Sequence, residues 1–182
     1  MTILNLPNQL TISRILAVPL IMALVAHGHE ISCLLAAAVF GIAAFTDIID
    51  GYLARKSNLV TSLGKFLDPL ADKVLVCAVL VMLVEQGRVP GWVVIVIICR
   101  DLMVTGLRAI AADEGIVIAA DRYGKLKTVM QMIALGPLII HYPWLGIPFN
   151  FIGMIVLYLA LLLTVYSGYN YFQTFFTDLK KK

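Results

Sequence analysis

The chain has 182 residues, of which 61% are hydrophobic and 14% are charged, and its formal net charge is +3. The charged share is well below the quarter that is typical of a soluble domain, and the mean hydropathy is +0.95. This composition excludes an ordinary soluble globular domain and indicates that lipid surrounds most of the chain.

Apolar runs separated by polar breakers predict six membrane-spanning helices. A span needs about 20 apolar residues, so this length leaves room for about six spans and for no extramembrane module. We therefore expect an all-α, polytopic membrane protein with a single transmembrane domain over residues 1–182. The predicted spans are 10–26, 31–54, 66–84, 92–112, 128–141 and 149–176.

Residues 4–14 (LNLPNQLTISR) mix apolar and polar positions ahead of the first span. Pro7 favours the start of a helix, and the spacing of Asn8, Thr11 and Arg14 places them on one helical face. We expect a short N-terminal interfacial helix here.

The positive charges predict the orientation in the membrane. If the spans alternate in direction, only Arg88 of the 14 lysines and arginines falls on the side opposite to the others. Because cytoplasmic loops carry an excess of lysine and arginine, we expect both termini in the cytosol.

Four aspartates lie within the second and third predicted spans: Asp47, Asp50, Asp68 and Asp72. An ionised carboxylate inside a membrane costs at least ~2.5 kcal/mol on insertion scales, so each of these side chains needs compensation. The first two are spaced i, i+3 and the last two i, i+4, so each pair occupies one face of its helix.

Both aspartate pairs are expected at the same depth. At 1.5 Å per helical residue, Asp47 lies about 12 Å from Arg55, and Asp72 lies about 10 Å from Lys65 on the antiparallel return. Carboxylates gathered at one level repel one another unless cations lie between them, and oxygen-only ligands suit Mg²⁺ or Mn²⁺. Two alternatives are ion pairs with Lys73 and Arg100, and a cation or proton relay of a transporter.

The residues around the aspartates favour phosphate chemistry. Gly51 and Gly64 would let a ligand approach the backbone, and Ala54 keeps the wall of the site thin. Arg55 offers a forked donor that suits phosphate.

The stretch from Asp47 to Asp72 resembles, without a mismatch, the signature of the CDP-alcohol phosphotransferase family, D-x2-D-G-x2-A-R-x8-G-x3-D-x3-D. The resemblance implies a metal-dependent enzyme that transfers a phosphatidyl group from a CDP-linked lipid to an alcohol. It also implies six transmembrane helices and a homodimer.

Roles for individual residues follow from the same resemblance. It implies that two Mg²⁺ or Mn²⁺ ions are held by Asp47, Asp50, Asp68 and Asp72, and that Asp72 is also the catalytic general base. It implies that the CDP-lipid is bound by Gly51, Ala54, Arg55 and Gly64. Members of the family carry a similar N-x-x-T-x-x-R lead-in, which implies further contacts to the nucleotide or lipid headgroup from Asn8, Thr11 and Arg14.

A second basic set predicts where the acceptor alcohol binds. In the fourth span Asp101, Thr105 and Arg108 share one stripe, with Arg100 beside them, and the fifth segment opens with GKLKT. We expect an acceptor-phosphate site formed by Arg100, Thr105, Arg108, Lys125 and Lys127. The alternative is that Arg108, Lys125 and Lys127 only set the topology.

An acceptor that carries its own phosphate would explain this surplus of positive charge, whereas serine or choline would not need it. The segments GKFLDPLADK, RDLMVTGLR and GKLKT resemble those of bacterial family members whose acceptor is glycerol 3-phosphate. The resemblance implies CDP-diacylglycerol and glycerol 3-phosphate as substrates and phosphatidylglycerophosphate and CMP as products. It also implies a role in phospholipid biosynthesis at the bacterial plasma membrane, with the active site facing the cytosol. Inositol phosphate, serine and phosphatidylglycerol are alternative acceptors, and no nucleic-acid partner is expected.

Overall fold

The structure is a computed structural model that describes the backbone of residues 6–57, 62–114 and 122–179 and the side chains of residues 11–46, 70–114 and 122–177. Within these ranges the chain is all helical, apart from an isolated bridge between Trp144 and Ile147. The all-α prediction is confirmed. The helices are α1 (Leu6–His27), α2 (Glu30–Ser57), α3 (Ser62–Glu85), α4 (Gly91–Asp113), α5 (Arg122–Ile140) and α6 (Phe149–Leu179).

The N-terminal lead-in differs from the expected short separate helix. From Leu6 onward it forms the first turns of α1, with Pro7 in the opening turn, where a missing N–H leaves no helical hydrogen bond unmade. Helix α5 likewise begins at Arg122, before the apolar run predicted to start at 128. Hydropathy locates the apolar part of a helix, whereas backbone hydrogen bonding continues into the polar residues that flank it.

The turn between α3 and α4 ends α3 through backbone geometry. Gly87 has φ of 67°, and its N–H donates to the carbonyl of Val84 at 2.9 Å. The N–H of Arg88 donates to the carbonyl of Leu83 at 2.9 Å. This pair of bonds satisfies two carbonyls at the end of the helix and requires a residue that tolerates the left-handed region, which glycine does.

The helices form one packed set in which α1 contacts α2 and α3, α5 contacts α2 and α6, and α4 contacts α6. Gly153 on α6 allows a close approach to α5, since an added Cβ would lie 2.7 Å from Cγ of Leu138. The core consists mainly of aliphatic side chains, among them Ile21, Leu80, Leu83, Leu138 and Leu157.

The outer surface of the helices is also apolar. Each helix has at least one large aliphatic side chain that is more than half exposed; examples are Leu16, Ile42, Val81, Ile95, Ile133 and Leu162. Soluble monomers rarely expose apolar surface on this scale. Among the described residues one helical stretch, Phe149–Thr177, is long and apolar enough on its own to cross a membrane, and shorter apolar stretches lie at Thr11–His27 and Glu30–Thr46.

Candidate active site

The backbone of α2 passes through Asp47 and Asp50, and the backbone of α3 passes through Asp68 and Asp72. Both pairs therefore have the helical spacing that the sequence predicts. Of these four side chains only that of Asp72 lies within the described residues. The predicted CDP-lipid contacts whose side chains lie outside them are Asn8, Gly51, Ala54, Arg55 and Gly64.

Asp72 forms an ion pair with Arg14 across the α1–α3 contact. Arg14 is 2% exposed and Thr11, one turn earlier, is fully buried, whereas the Asp72 side chain is 30% exposed. The guanidinium thus offsets the negative charge of Asp72 from the buried side, while part of the Asp72 side chain is exposed. Of the three lead-in residues, Arg14 therefore contacts the predicted general base, and Thr11 is buried one turn earlier on α1.

The cations that the sequence offers as alternative partners for the aspartates have other contacts. Lys73 donates to the hydroxyl of Thr105 on α4, and Arg100 pairs with Asp101 at 3.2 Å. Among the described residues, Asp72 therefore forms its ion pair with Arg14, and not with Lys73 or Arg100 as the alternative proposes.

A second charged cluster joins α4 and α5. One carboxylate oxygen of Asp101 accepts from Nη1 of Arg100 and from Nζ of Lys127. Arg100 is 8% exposed and Lys127 is 5% exposed, so both cations are buried. Two cations share one carboxylate here, which leaves a surplus positive charge in a partly desolvated place, where an anion is attracted strongly.

Helix α6 adds contacts that the sequence reasoning missed. Nη2 of Arg100 donates to Oγ of Ser167 at 2.8 Å. The guanidinium of Arg108 donates to the hydroxyl of Tyr171 and lies 4.9 Å from the centre of that ring, within cation–π distance. The available signal was the helical spacing of small and polar residues inside an apolar run, at Thr164, Ser167, Gly168 and Tyr171.

The predicted acceptor residues do not all meet. Arg100 and Lys127 share Asp101, and the hydroxyl of Thr105 donates to the backbone carbonyl of Asp101 at 2.6 Å. Arg108 is exposed, and at the helical rise of about 1.5 Å per residue it lies about 12 Å from Arg100 along α4. Lys125 is exposed, and no ion pair of this side chain occurs among the described residues. The buried part of the predicted set is therefore Arg100 with Lys127.

The donor chemistry of the four aspartates fits a hard divalent ion, since all of it is carboxylate oxygen. Among the described side chains no group of three histidines, cysteines or acids is gathered, and three of the four predicted ligands lie outside that part of the chain. Of the four predicted metal ligands, Asp72 is the one whose side chain the structure describes, and that side chain is partly exposed.

A family model for CDP-alcohol phosphatidyltransferase matches residues 4–166. The chain belongs to this family. The matched range contains the aspartate motif, Arg14 and the cluster around Asp101, and it ends one residue before Ser167. The family is one of enzymes, so the resemblance drawn from the aspartate signature is confirmed, and with it the expectation of a transferase.

Curated relatives cover almost the whole chain. A CDP-diacylglycerol--glycerol-3-phosphate 3-phosphatidyltransferase of Bacillus subtilis is 43% identical over 192 aligned positions, with 97% of each chain covered. A protein with the same name from Rickettsia typhi is 42% identical over 170 positions, covering 93% of this chain and 96% of its own. A probable phosphatidylglycerophosphate synthase of Mycobacterium tuberculosis is 38% identical over 180 positions, covering 97% and 84%.

Proposed function

We propose that this enzyme transfers the phosphatidyl group of CDP-diacylglycerol to sn-glycerol 3-phosphate, giving phosphatidylglycerophosphate and CMP. The observation that carries this conclusion is the end-to-end similarity to the Bacillus subtilis protein, whose name states this reaction. The buried pair Arg100 and Lys127 supports it, because a phosphate-bearing acceptor needs a cationic site separate from the one that binds the lipid pyrophosphate.

We place the protein in the bacterial plasma membrane as a single domain of six spans, with both termini in the cytosol, and we propose a homodimer. The outward apolar residues of every helix support the spans, and the lysine and arginine bias supports the orientation. In this orientation the active site opens to the cytosol.

The aspartate motif would hold two Mg²⁺ or Mn²⁺ ions through Asp47, Asp50, Asp68 and Asp72. Such ions, when bound, neutralise charge on the pyrophosphate and on the leaving group. The nucleotide and headgroup of the CDP-lipid would contact Gly51, Ala54, Arg55, Gly64, Asn8, Thr11 and Arg14.

In the proposed reaction Asp72 acts as the general base. Its carboxylate accepts the proton of the free primary hydroxyl of glycerol 3-phosphate. The resulting oxygen attacks the phosphorus next to diacylglycerol, a new P–O bond forms, and the P–O bond to CMP breaks. Arg14 contributes by holding the Asp72 carboxylate from its buried side, so that the open side faces the acceptor.

The acceptor's phosphate would be bound by Arg100 and Lys127, with Arg108, Lys125 and Thr105 nearer the entrance. Asp101 keeps the two buried cations together and leaves them one net positive charge. Lys73, the sequence neighbour of Asp72, bonds to Thr105 on the same helix as Asp101. This chain of contacts links the base to the anion site, which suits an acceptor whose hydroxyl and phosphate belong to one small molecule.

The test is an acceptor panel with purified protein, CDP-diacylglycerol and Mg²⁺, in which CMP release is measured with glycerol 3-phosphate, inositol phosphate, serine and phosphatidylglycerol. We expect glycerol 3-phosphate to give the highest kcat/KM by at least about tenfold, equivalent to about 1.4 kcal/mol of discrimination. A higher kcat/KM with another acceptor would contradict the proposed substrate.

A further inference from the structure

The segment of α6 that follows the family match at residue 166 contacts Arg100, one of the two buried cations of the proposed acceptor site. Ser167 is itself buried, and its oxygen accepts from Nη2 of Arg100 at 2.8 Å. The same hydroxyl donates to the carbonyl of Leu163 at 2.6 Å. Because its proton is used within α6, its lone pairs are free to accept from the guanidinium, so the orientation of this bond is fixed.

Gly168 provides the space that the stem of Arg100 occupies. An added Cβ at this position would lie 3.1 Å from Cγ and 3.4 Å from Nε of Arg100. The distance to Cγ is tighter than most contacts of a real Cβ, so an added methyl group would shift the arginine stem by a few tenths of an ångström. The absence of a side chain at residue 168 therefore lets α6 pack closely against Arg100 without displacing it.

Arg100 is thereby held by two helices at once. On α4 its Nη1 pairs with Asp101, and on α6 its Nη2 bonds to Ser167. Its Nε is buried and has no hydrogen-bond partner among the described residues. A buried donor without an acceptor is unfavourable, so an oxygen of an anionic ligand is a favourable partner for it.

We propose that Ser167 and Gly168 are positioning residues that set the guanidinium of Arg100 for the phosphate of the acceptor and thereby determine acceptor affinity. This inference rests on the proposed function. It assigns a role to a part of α6 that lies beyond the family match and that makes no described contact with Asp72.

The experiment measures the apparent KM for glycerol 3-phosphate and for CDP-diacylglycerol in Ser167→Ala, Ser167→Thr and Gly168→Ala. For Ser167→Ala we expect the acceptor KM to rise about fivefold, since a hydrogen bond to a charged group is lost, while the lipid KM stays within about twofold. Ser167→Thr keeps the hydroxyl and should restore most of the acceptor affinity. Gly168→Ala should change the two constants in the same pattern as Ser167→Ala.

Two substitutions in α6 serve as matched controls. Thr174→Ala removes a hydroxyl that bonds to the α6 carbonyl of Asn170 at 2.9 Å. Gly153→Ala adds a Cβ against the apolar Leu138 and perturbs the packing of α6 on α5 without touching Arg100. Thr174→Ala should leave both KM values unchanged. Gly153→Ala should lower Tm without changing the ratio of the two KM values.

The outcomes separate this inference from the function on which it rests. An unchanged acceptor KM in folded Ser167→Ala, or an equal rise in both KM values, overturns the positioning role while wild-type turnover of glycerol 3-phosphate upholds the function. Failure of Ser167→Thr to restore affinity also overturns it. Absence of acceptor-dependent CMP release from the wild type overturns both.

Discussion

Arg14 on α1 pairs with Asp72 on α3, and the arginine is almost fully buried while the aspartate is partly open. This relationship ties the N-terminal lead-in of the chain to the residue that the aspartate motif assigns as general base. The lead-in is therefore part of the catalytic centre that we propose, rather than only an attachment to the membrane surface.

The Arg14–Asp72 pair predicts a coupled effect on stability. Arg14→Met should destabilise the protein, because removing one partner of a buried ion pair commonly costs about 3–5 kcal/mol. Because Asp72 is partly exposed to solvent, we expect the loss of stability to lie at the lower end of that range. The double variant with Asp72→Asn should recover part of the loss of Tm, measured by thermal unfolding in detergent. Strictly additive losses in the double variant would show that the two side chains do not interact.

Arg108 predicts a selective effect on the acceptor. Its replacement by Ala should raise the apparent KM for glycerol 3-phosphate by about tenfold and that for the CDP-lipid much less, because it removes a charged donor near the entrance of the proposed anion site. Tyr171→Phe keeps the ring under the guanidinium and removes the hydroxyl, so its effect should be smaller. Equal changes in both KM values for Arg108→Ala would argue against a contact with the acceptor.

Arg88 predicts a structural role at the opposite end of the helices. It is buried, and its Nη1 donates to the carbonyl of Ile139 in the last turn of α5 at 2.8 Å, while its Nη2 contacts Sγ of Cys33 at 3.2 Å. The last carbonyls of a helix lack partners within it, so a cation there is favourable. Arg88→Met should lower Tm by about 5 °C.

The matched control for Arg88 is Arg122→Met, which replaces an exposed arginine in the first turn of α5. It should leave Tm nearly unchanged. If the two variants lost the same Tm, the contact of Arg88 with α5 would not explain its effect. The apparent KM values of Arg88→Met should match those of the wild type, since Arg88 lies away from the proposed site.

His141 predicts a dependence of stability on pH. His141 follows Ile140, the last residue of α5, and so lies outside the helix. Burial and the nearby Arg88 guanidinium lower the pKa of His141 below its ordinary value of 6.5. The unfolded chain therefore binds the proton at a higher pH than the folded chain. The stability that depends on a neutral His141 is fully present above about pH 6.5 and is lost as the pH falls below that value. Tm should consequently decrease between pH 7.5 and pH 5.5.

His141→Asn is the variant that tests this, because residue 141 has φ of 63° and Asn tolerates that conformation. The variant should show a shallower decrease of Tm than the wild type. His27→Gln, at an exposed histidine, should keep the wild-type slope. An unchanged slope in His141→Asn would remove this residue as the cause.

The helices and the aspartate motif could be predicted from the sequence because each depends on local spacing. Apolar runs located the six helices that the structure describes, and the intervals between Asp47 and Asp72 identified the family. The charges on α4 and α5 and the wider resemblance restricted the choice of acceptor alcohol. The curated relatives confirm that resemblance. The roles of individual site residues stay predictions.

Contacts between distant helices could not be predicted in the same way. The pairing of Arg14 with Asp72 spans 58 positions, and nothing in the lead-in distinguishes an arginine that faces lipid headgroups from one that faces α3. Ser167 and Gly168 were not predicted as neighbours of the acceptor site, because small residues are common in membrane helices and most of them serve close packing. Their relation to Arg100 appears only when α4 and α6 are packed together.

The most direct test of the account compares wild-type protein with Asp72→Asn, using CDP-diacylglycerol, glycerol 3-phosphate and Mg²⁺, with the lipid product identified by mass and CDP-lipid binding measured in parallel. We predict that the wild type forms phosphatidylglycerophosphate and CMP in equal amounts, and that the variant binds the CDP-lipid but forms neither product. Wild-type turnover by Asp72→Asn, or a wild-type product other than phosphatidylglycerophosphate, would contradict the account.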